Sequence, residues 1–544
     1  MTTLHRDDVD GVPTYWVDTG RPTLYAALVV RAGIADETLP TTGWLHLAEH
    51  LALHDRDRGT LRVDGSVSLQ TTRLAAQGDP ADVAATLTAI CDWLADPVLD
   101  RVADESRVLR AESEYRGTGD AATAMLQRFG ARGPGLAGYT EPGLARATPE
   151  GIRDLVRRFF TTGNVAMMLD GPPPAGLRLG LPAGARVPLP ATPRADDPRP
   201  AAYLTPAHLV LSGEVPRTAA ATFLPTVLHD MLRRDLREGA GGAYAPWSSY
   251  EAVDGESAVV LAGSDVAESL LPTVVHHACS GLARLRSAGP RPDVVEDAVA
   301  SVLQQLRDPY TAASFADRAA SDHLLGRATQ TREELFEELT AVTRDEVAAL
   351  VPGFADSLLL GVPRAAAWHD EMPVLTMPTG PRPVGGVSHR YRSPAETNQE
   401  LVLNDTTVAI GTKDQWQGVD VASVAAVMAR ADGGRLLIRD DGWTVSVEPT
   451  MWSAGASAVQ HIDRIVPQEK FIQVPALDPA SVPRPTSRFS YWSARLRVPL
   501  YVFFAVCLMA TGLISQKTFP VVLGLAVLVG LWVNAATQGR RASP

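Results

Sequence analysis

Two stretches rich in proline and glycine limit what this chain can fold into. The segment 171–200, opening Gly171-Pro-Pro-Pro174, and the segment 368–389 carry the period of neither helix nor strand. Proline also withholds the backbone donor that both structures need. Regular structure therefore belongs between them. The chain has 544 residues, 45% of them hydrophobic, which is more than one core accommodates and suggests about three or four units. The first stretch is expected to be a semi-rigid linker closing a unit at 1–170, and the second to separate a unit at 201–367 from a smaller one at 390–480.

Within the first unit, β-branched and aromatic residues from 15 to 31 flank a Gly-Arg-Pro turn and predict a hairpin. Helical spacing follows over Asp82–Ala95 (Val83, Leu87, Ile90, Leu94) and over Asp100–Arg116. Thr148-Pro149-Glu150 combines an N-cap, a proline at the first helical position and an acidic first turn, and the apolar run 164–170 then reads as a strand. The second unit repeats this order: a strand at 207–212, a helix at 219–237, a strand at 257–263, and helices at 266–287, 292–306, 312–326 and 332–350. Thr343 with Glu346 three residues on echoes the Thr148 cap. The fold class is therefore α+β, two tandem homologous units, with a third, β-rich unit at 390–480 that holds no chemical constellation.

Two apolar runs, 498–515 and 518–536, contain no charge and are separated only by Gln516 and Lys517. They are apolar on every face and read as a transmembrane helical hairpin. Arg484, Arg488, Arg495 and Arg497 precede it and Arg540 and Arg541 follow, so the positive-inside bias puts both flanks, and the larger units, on the cytoplasmic side of a bacterial membrane. The polar, acidic N-terminus offers no secretory signal. A formal charge of −12 without a basic block before residue 480 excludes an electrostatic footprint for nucleic acid. Cys91, Cys279 and Cys507 stand far apart, which argues against a cysteine-based metal site and fits three buried thiols.

The chemistry concentrates in His46-Leu-Ala-Glu49-His50. On a helix, residues four apart share a face and the third lies beside them, so two imidazoles and a carboxylate project toward one point. Two such imidazoles can hold one Zn²⁺, and Glu49 is placed to take a proton from a water that the ion acidifies. Catalytic zinc takes a third protein ligand, for which Glu112 is the candidate; Glu105, seven residues earlier on the same helical face, can hold a ligand in orientation. Alone, the five-residue pattern also describes an ordinary solvated helix face. His54 extends the row as a bystander, and His276 and His277 point apart as packing or surface residues.

These residues resemble the pitrilysin (insulinase, mitochondrial-processing-peptidase-like) family of inverzincins, whose mark is HxxEH followed by a distant glutamate. The likeness runs from about residue 14 to 365 and includes Gly33-Ile-Ala-Asp-Glu37, Thr41-Thr-Gly43 and Gly163-Asn164-Val. It implies His46, His50 and Glu112 as zinc ligands, Glu49 as the base, Glu105 as a supporting acid and one zinc per chain. Leu236-Arg237-Glu238 through Tyr244 matches a turn whose Arg and Tyr bind substrate backbone and stabilise the oxyanion in relatives. The sequence departs from the family around Gly65–Gln70, where the Gly-Gly-x-x-Asn-Ala segment is missing and the interval from His50 to Glu112 is short; the loss falls on the substrate-pairing edge strand and its loop. Two units make half of the family's closed chamber, so the resemblance implies a homodimer, or a heterodimer with a paralogous half, acting on a peptide substrate. The expected function is a membrane-tethered zinc metalloendopeptidase; the alternative is a non-catalytic, membrane-anchored peptide-binding or assembly protein.

Overall fold

A computed structural model describes residues 3–193, 199–239, 241, 245–308, 311–366, 372–393, 398–413 and 415–485. The two apolar runs at 498–515 and 518–536 lie outside these residues, as do Cys507 and Tyr244. Among the described residues no helix is long and apolar enough to cross a membrane.

The first unit runs β1 (Leu4–Val9), β2 (Val12–Val17), β3 (Leu24–Val30), α1 (Trp44–Leu53), β4 (Arg62–Val67), β5 (Thr72–Gly78), α2 (Pro80–Ala95), α3 (Val102–Arg116), α4 (Asp120–Phe129), α5 (Pro149–Phe159) and β6 (Val165–Leu169). Its sheet has the order β1-β2-β6-β3-β5-β4. The hairpin expected over residues 15–31 does not form. The last strand, β6, inserts between β2 and β3, parallel to the first and antiparallel to the second. β6 is buried along its whole length, and a central slot removes more apolar surface from water than an edge could.

The second unit runs β7 (Ala201–Thr205), β8 (His208–Pro216), α6 (Leu224–Leu232), β9 (Trp247–Ala252), β10 (Ser257–Asp265), α7 (Val274–Ala288), α8 (Pro292–Arg307), α9 (Ala313–Leu324), α10 (Arg332–Thr340), α11 (Arg344–Asp356) and β11 (Leu359–Pro363). Its order, β7-β11-β8-β10-β9, reproduces β2-β6-β3-β5-β4 of the first sheet, including the parallel pair of first and last strands. The duplication is thus one of topology. Helices also correspond: α1 with α6, α2 with α7, α3 with α8, α4 with α9 and α5 with α11. Thr148 and Thr343 cap the paired helices α5 and α11 through their side chains. The helix expected over 332–350 is two, because Thr343 and Glu346 form a capping box that starts a new helix in mid-stretch.

Each sheet alternates its side chains between two cores. Leu28, Val30, Leu74 and Met167 face the first unit's own helices, while Ala27, Val29, Ala166 and Met168 face α9 of the second unit. Reciprocally, Ala124, Met125 and Phe129 of α4 pack on Tyr203, Val210, Val259 and Leu261 of the second sheet. The units exchange corresponding helices, so neither buries both faces of its sheet alone. Arg128 of α4 crosses this boundary at 2% exposure and donates to the Ser212 carbonyl (2.6 Å), the Ser357 carbonyl (3.0 Å) and Glu214 (3.2 Å). Burial lowers its pKa, with Glu214 opposing.

The proline-rich stretch after 170 is a packed strap rather than a spacer. Leu177, Leu179 and Leu181 are buried in the first core. Fully buried Arg31 donates to the Val187 carbonyl (2.9 Å), and the Val187 amide donates to the side chain of buried Asn164 (2.8 Å). Asn164 itself donates to the Arg31 and Phe159 carbonyls, and its own carbonyl accepts from the Arg31 amide (2.9 Å), so three segments pair their buried polar groups at one point.

The third unit holds a meander, β12 (Val387–Arg390), β13 (Glu400–Leu403), β14 (Thr407–Thr412) and β15 (Gln415–Asp420), and a second sheet of β16 (Val424–Arg430), β17 (Arg435–Arg439), β18 (Thr444–Val447) and β19 (Phe471–Val474). A helix, α12 (Gly455–Ile465), carries the chain between β18 and β19 and packs Ala458 and Ile462 into their core, so the unit is β-rich but not all-β.

Candidate metal centre

Helix α1 is fixed at its start and along one face. Gly43 at its N-cap takes φ +85°, and the Glu37 carboxylate accepts from the amides of Gly43 (3.0 Å) and Leu45 (2.8 Å), two of the donors a helix start leaves unpaired. Leu45, Ala48, Leu51 and Ala52 turn one face into the core, where each fully buried leucine contributes about 1.5–3 kcal/mol. The opposite face carries His46, Glu49 and His50, whose ligand atoms all lie within 4.8 Å of one another.

The two imidazoles are aimed alike. The Nε2 atoms of His46 and His50 approach Glu49 Oε2 at 4.0 and 3.9 Å, and both rings turn Nδ1 toward other carboxylates. His46 Nδ1 lies 2.9 Å from Glu141 Oε1, and His50 Nδ1 lies 3.9 Å from Glu105 Oε2. A carboxylate behind each ring is the arrangement that orients metal-binding histidines and raises their basicity. Glu105 is nearly buried, takes Arg101 at 3.1 Å and faces His54 Nδ1 at 3.6 Å, so His54 shares the buttress of His50.

Burial pushes the Glu49 carboxyl up to about 7, with His46 pulling the other way and Asp64 and Glu112 adding to the rise. A carboxyl poised there exchanges protons near neutrality. For His46, burial lowers the pKa, but the Glu141 hydrogen bond and charge outweigh it and leave the group raised. His50 is lowered, by burial first and His46 second. Two convergent Nε2 atoms, a carboxylate beside them and a carboxylate behind each ring form a donor set that fits zinc.

Glu112 does not join the cluster. It is exposed on α3, near enough for its charge to act on both Glu49 and His50, while the three clustered groups come from α1 alone. Glu141 was not anticipated from the sequence. It lies between two short 3-10 turns with φ +49°, a left-handed backbone uncommon outside glycine, and also accepts from Ser113. Nothing in Thr-Glu-Pro marks it; only the fold brings residue 141 to residue 46.

The departure from the family pattern around Gly65–Gln70 leaves an edge strand in place. β4 stands at the end of the first sheet, paired to β5 on one side with no strand on the other among the described residues. Gly65 in β4 passes so close to α1 that a Cβ there would sit 1.8 Å from Glu49 Oε1. On one side of this contact a cavity of about 580 Å³ is lined by Glu37, His46, Ser66, Arg116, Tyr139 and Glu141. On the other a cleft of about 310 Å³ exposes Glu49, His50, His54 and Glu105.

The third unit braces the loop that carries Glu141. The Asp440 carbonyl accepts from the Ala131 amide (2.9 Å), and a Cβ on Gly130 would meet that oxygen at 2.3 Å. Ala131 and Leu136 share a small core with Ala426, Ile438 and Ile472, and Arg146 donates to the Glu469 carbonyl. Of the second family mark, Arg237 is exposed in a π-turn at Arg233–Gly239, next to Glu238, which pairs with Arg233. Its expected companion Tyr244 lies outside the described residues.

No family model matches the sequence, and no curated protein matches it. Solved structures do. A protease from Helicobacter pylori aligns at 12% identity and TM-score 0.55 over 66% of this chain and 99% of its own. An inactive M16 peptidase domain from Pseudomonas fluorescens aligns at 14% and 0.54 over 68% and 100%. Pitrilysin aligns at 15% and 0.50 over 68% and 47%. At these identities the likeness is one of fold: the first two units have the architecture of M16 peptidases and of an inactive member alike.

Proposed function

We propose that the chain is a zinc metalloendopeptidase, tethered to a bacterial membrane with its peptidase units in the cytoplasm, acting on short or unfolded peptides. The observation that carries this reading is the convergence of His46 and His50 Nε2 on buried Glu49, with a carboxylate behind each ring. His46 and His50 would hold the ion, with Glu112 completing the set. Zinc, when bound, supplies a Lewis acid that polarises the scissile carbonyl and acidifies water.

The chain's own groups do the rest. Glu49 takes a proton from the attacking water and returns it to the leaving amine, which its carboxyl near 7 suits. The free side of β4 offers backbone groups to an extended peptide, which β-strand addition would align across Gly65 and beside Glu49. Arg237, with Tyr244, would meet the developing oxyanion from the partner copy's half of a chamber, giving two composite sites per homodimer; a heterodimer with a paralogous half would supply the same groups.

Glu49→Gln should retain zinc and lose about 10²–10⁴-fold in kcat, whereas Glu112→Gln should loosen zinc. Metal content by mass spectrometry and cleavage of a mixed peptide library, with and without chelator, check both. Normal turnover by the first variant would refute the mechanism. A second reading, a non-catalytic peptide-binding scaffold, is favoured by one observation, the exposure of Glu112 away from the cluster. It requires that no chelator-sensitive cleavage be found.

A further inference from the structure

The duplication leaves a second cavity at the place in the second unit that corresponds to the metal cavity of the first. The first cavity is lined by the β3–α1 connection, β4, α3, α4 and the loop after α4. A cavity of about 800 Å³ is lined by the counterparts: the β8–α6 connection, Tyr250 of β9, Leu306 of α8, α9, and the segment after α9 with α10. In place of histidines and glutamates it presents Arg217, Arg318 and Arg327.

The charges there do not cancel. Asp322, 4% exposed, takes Arg327 at 3.3 Å and Arg318 at 3.6 Å. Arg217 donates to the Asp254 carbonyl at 3.0 Å, and among the described residues no carboxylate pairs with it. Of the other acids on the lining, Asp317 is taken by Arg73 of β5, and Glu338 stands exposed, accepting from Gln330. One buried carboxylate therefore faces three guanidiniums. Burial lowers the Arg217 pKa and Arg327 and Arg318 lower it further, so a bound anion would relieve a repulsion already built in. Val302, Leu306, Leu335 and Leu339 supply apolar wall, which suits an organic body and offers nothing to a sugar or a hydrated ion.

We propose that this cavity binds a carboxylate carried on an apolar peptide body, with Arg217 as the principal contact and Arg318, Arg327 and the Tyr250 hydroxyl around it. An arginine fork matches a carboxylate with two parallel hydrogen bonds. The carboxylate can come from a peptide's C-terminus or from an acidic side chain. The site is separate from the metal centre and stands whether or not the chain hydrolyses anything.

The test uses full-length protein in detergent, stripped of metal by chelator, and three Ala/Leu hexapeptides labelled at the N-terminus with a dye that carries no carboxylate: a free acid, its C-terminal amide, and an amide with one internal Glu. Fluorescence anisotropy should show the free acid or the Glu peptide binding at least about tenfold more tightly than the plain amide. Arg217→Gln should abolish that difference. Thr222→Trp, a substitution at an exposed lining position, should block binding of the acid while leaving the thermal midpoint unchanged. Preference for the terminal acid assigns the site to C-termini, and preference for Glu assigns it to acidic side chains. Equal binding of all three peptides, or a preference that survives both substitutions, would overturn the proposal.

Discussion

At the residue scale the centre depends on an atom that is missing. Gly65 has no Cβ, and Glu49 occupies the space where one would be. Gly65→Ala should therefore push the Glu49 carboxylate aside without touching the Nε2 atoms of His46 and His50. Zinc content is expected to hold while kcat falls about 10²-fold, the cost of a misplacement of about 1 Å. Steady-state kinetics beside metal analysis separate the two effects. Glu37 gives a prediction in pH. Burial lifts its carboxyl from 4.5 to about 8, with the Leu45 and Gly43 amides opposing. Between those values the unfolded chain gives up the proton that the folded chain keeps. The contribution is fully present below 4.5 and is lost as pH rises through 8. Glu37→Gln should flatten that decline in denaturant midpoints measured across the window. His46, Glu49, His50 and Glu105 were legible because helical periodicity places them locally. Glu141 was not, because its partner lies in another element and its own neighbours carry no sign of it.

At the element scale, helix exchange between the units is the decisive contact. Arg128 binds α4 to β8 and to the end of α11 by donating to the Ser212 and Ser357 carbonyls. Arg128→Ala is expected to cost about 3 kcal/mol of stability, read as a shift of the urea midpoint. Helix positions were largely visible from spacing and caps, as α2, α5 and α8 show. Strand order was not. The run at 164–170 reads as a strand, yet nothing within it says that it enters between β2 and β3. The linker reading of 171–200 failed for a related reason: composition recorded its prolines, while the burial of Leu177, Leu179 and Leu181 and the anchoring of Val187 depend on the first core and on Arg31, far away in sequence.

At the scale of the whole molecule, the proposed function makes the two units half of a chamber whose site needs a partner copy's Arg237. Chains carrying Glu49→Gln and chains carrying Arg237→Ala should each be inactive alone. After co-expression, mixed dimers should regain hydrolysis, since one of their two sites then holds both intact groups. Recovery absent in demonstrated mixed dimers would place Arg237 and Glu49 in one chain's site instead. The third unit also gains a role here, since its contacts through Asp440 and Ile438 hold the loop that brings Glu141 to His46.

The sequence by itself determined what repeats along the chain: the helix bearing two histidines and a glutamate, the caps, the alternation of two similar units and the apolar runs beyond residue 498. Period and local backbone chemistry write these into neighbouring residues. Only the tertiary structure decided which distant groups meet. It inserted β6 into the centre of its sheet, crossed α4 and α9 between units, laid Gly65 against Glu49 and set Glu141 behind His46. Each of these is settled by burying apolar faces and pairing buried polar atoms across long intervals of chain, and no local pattern records such an interval.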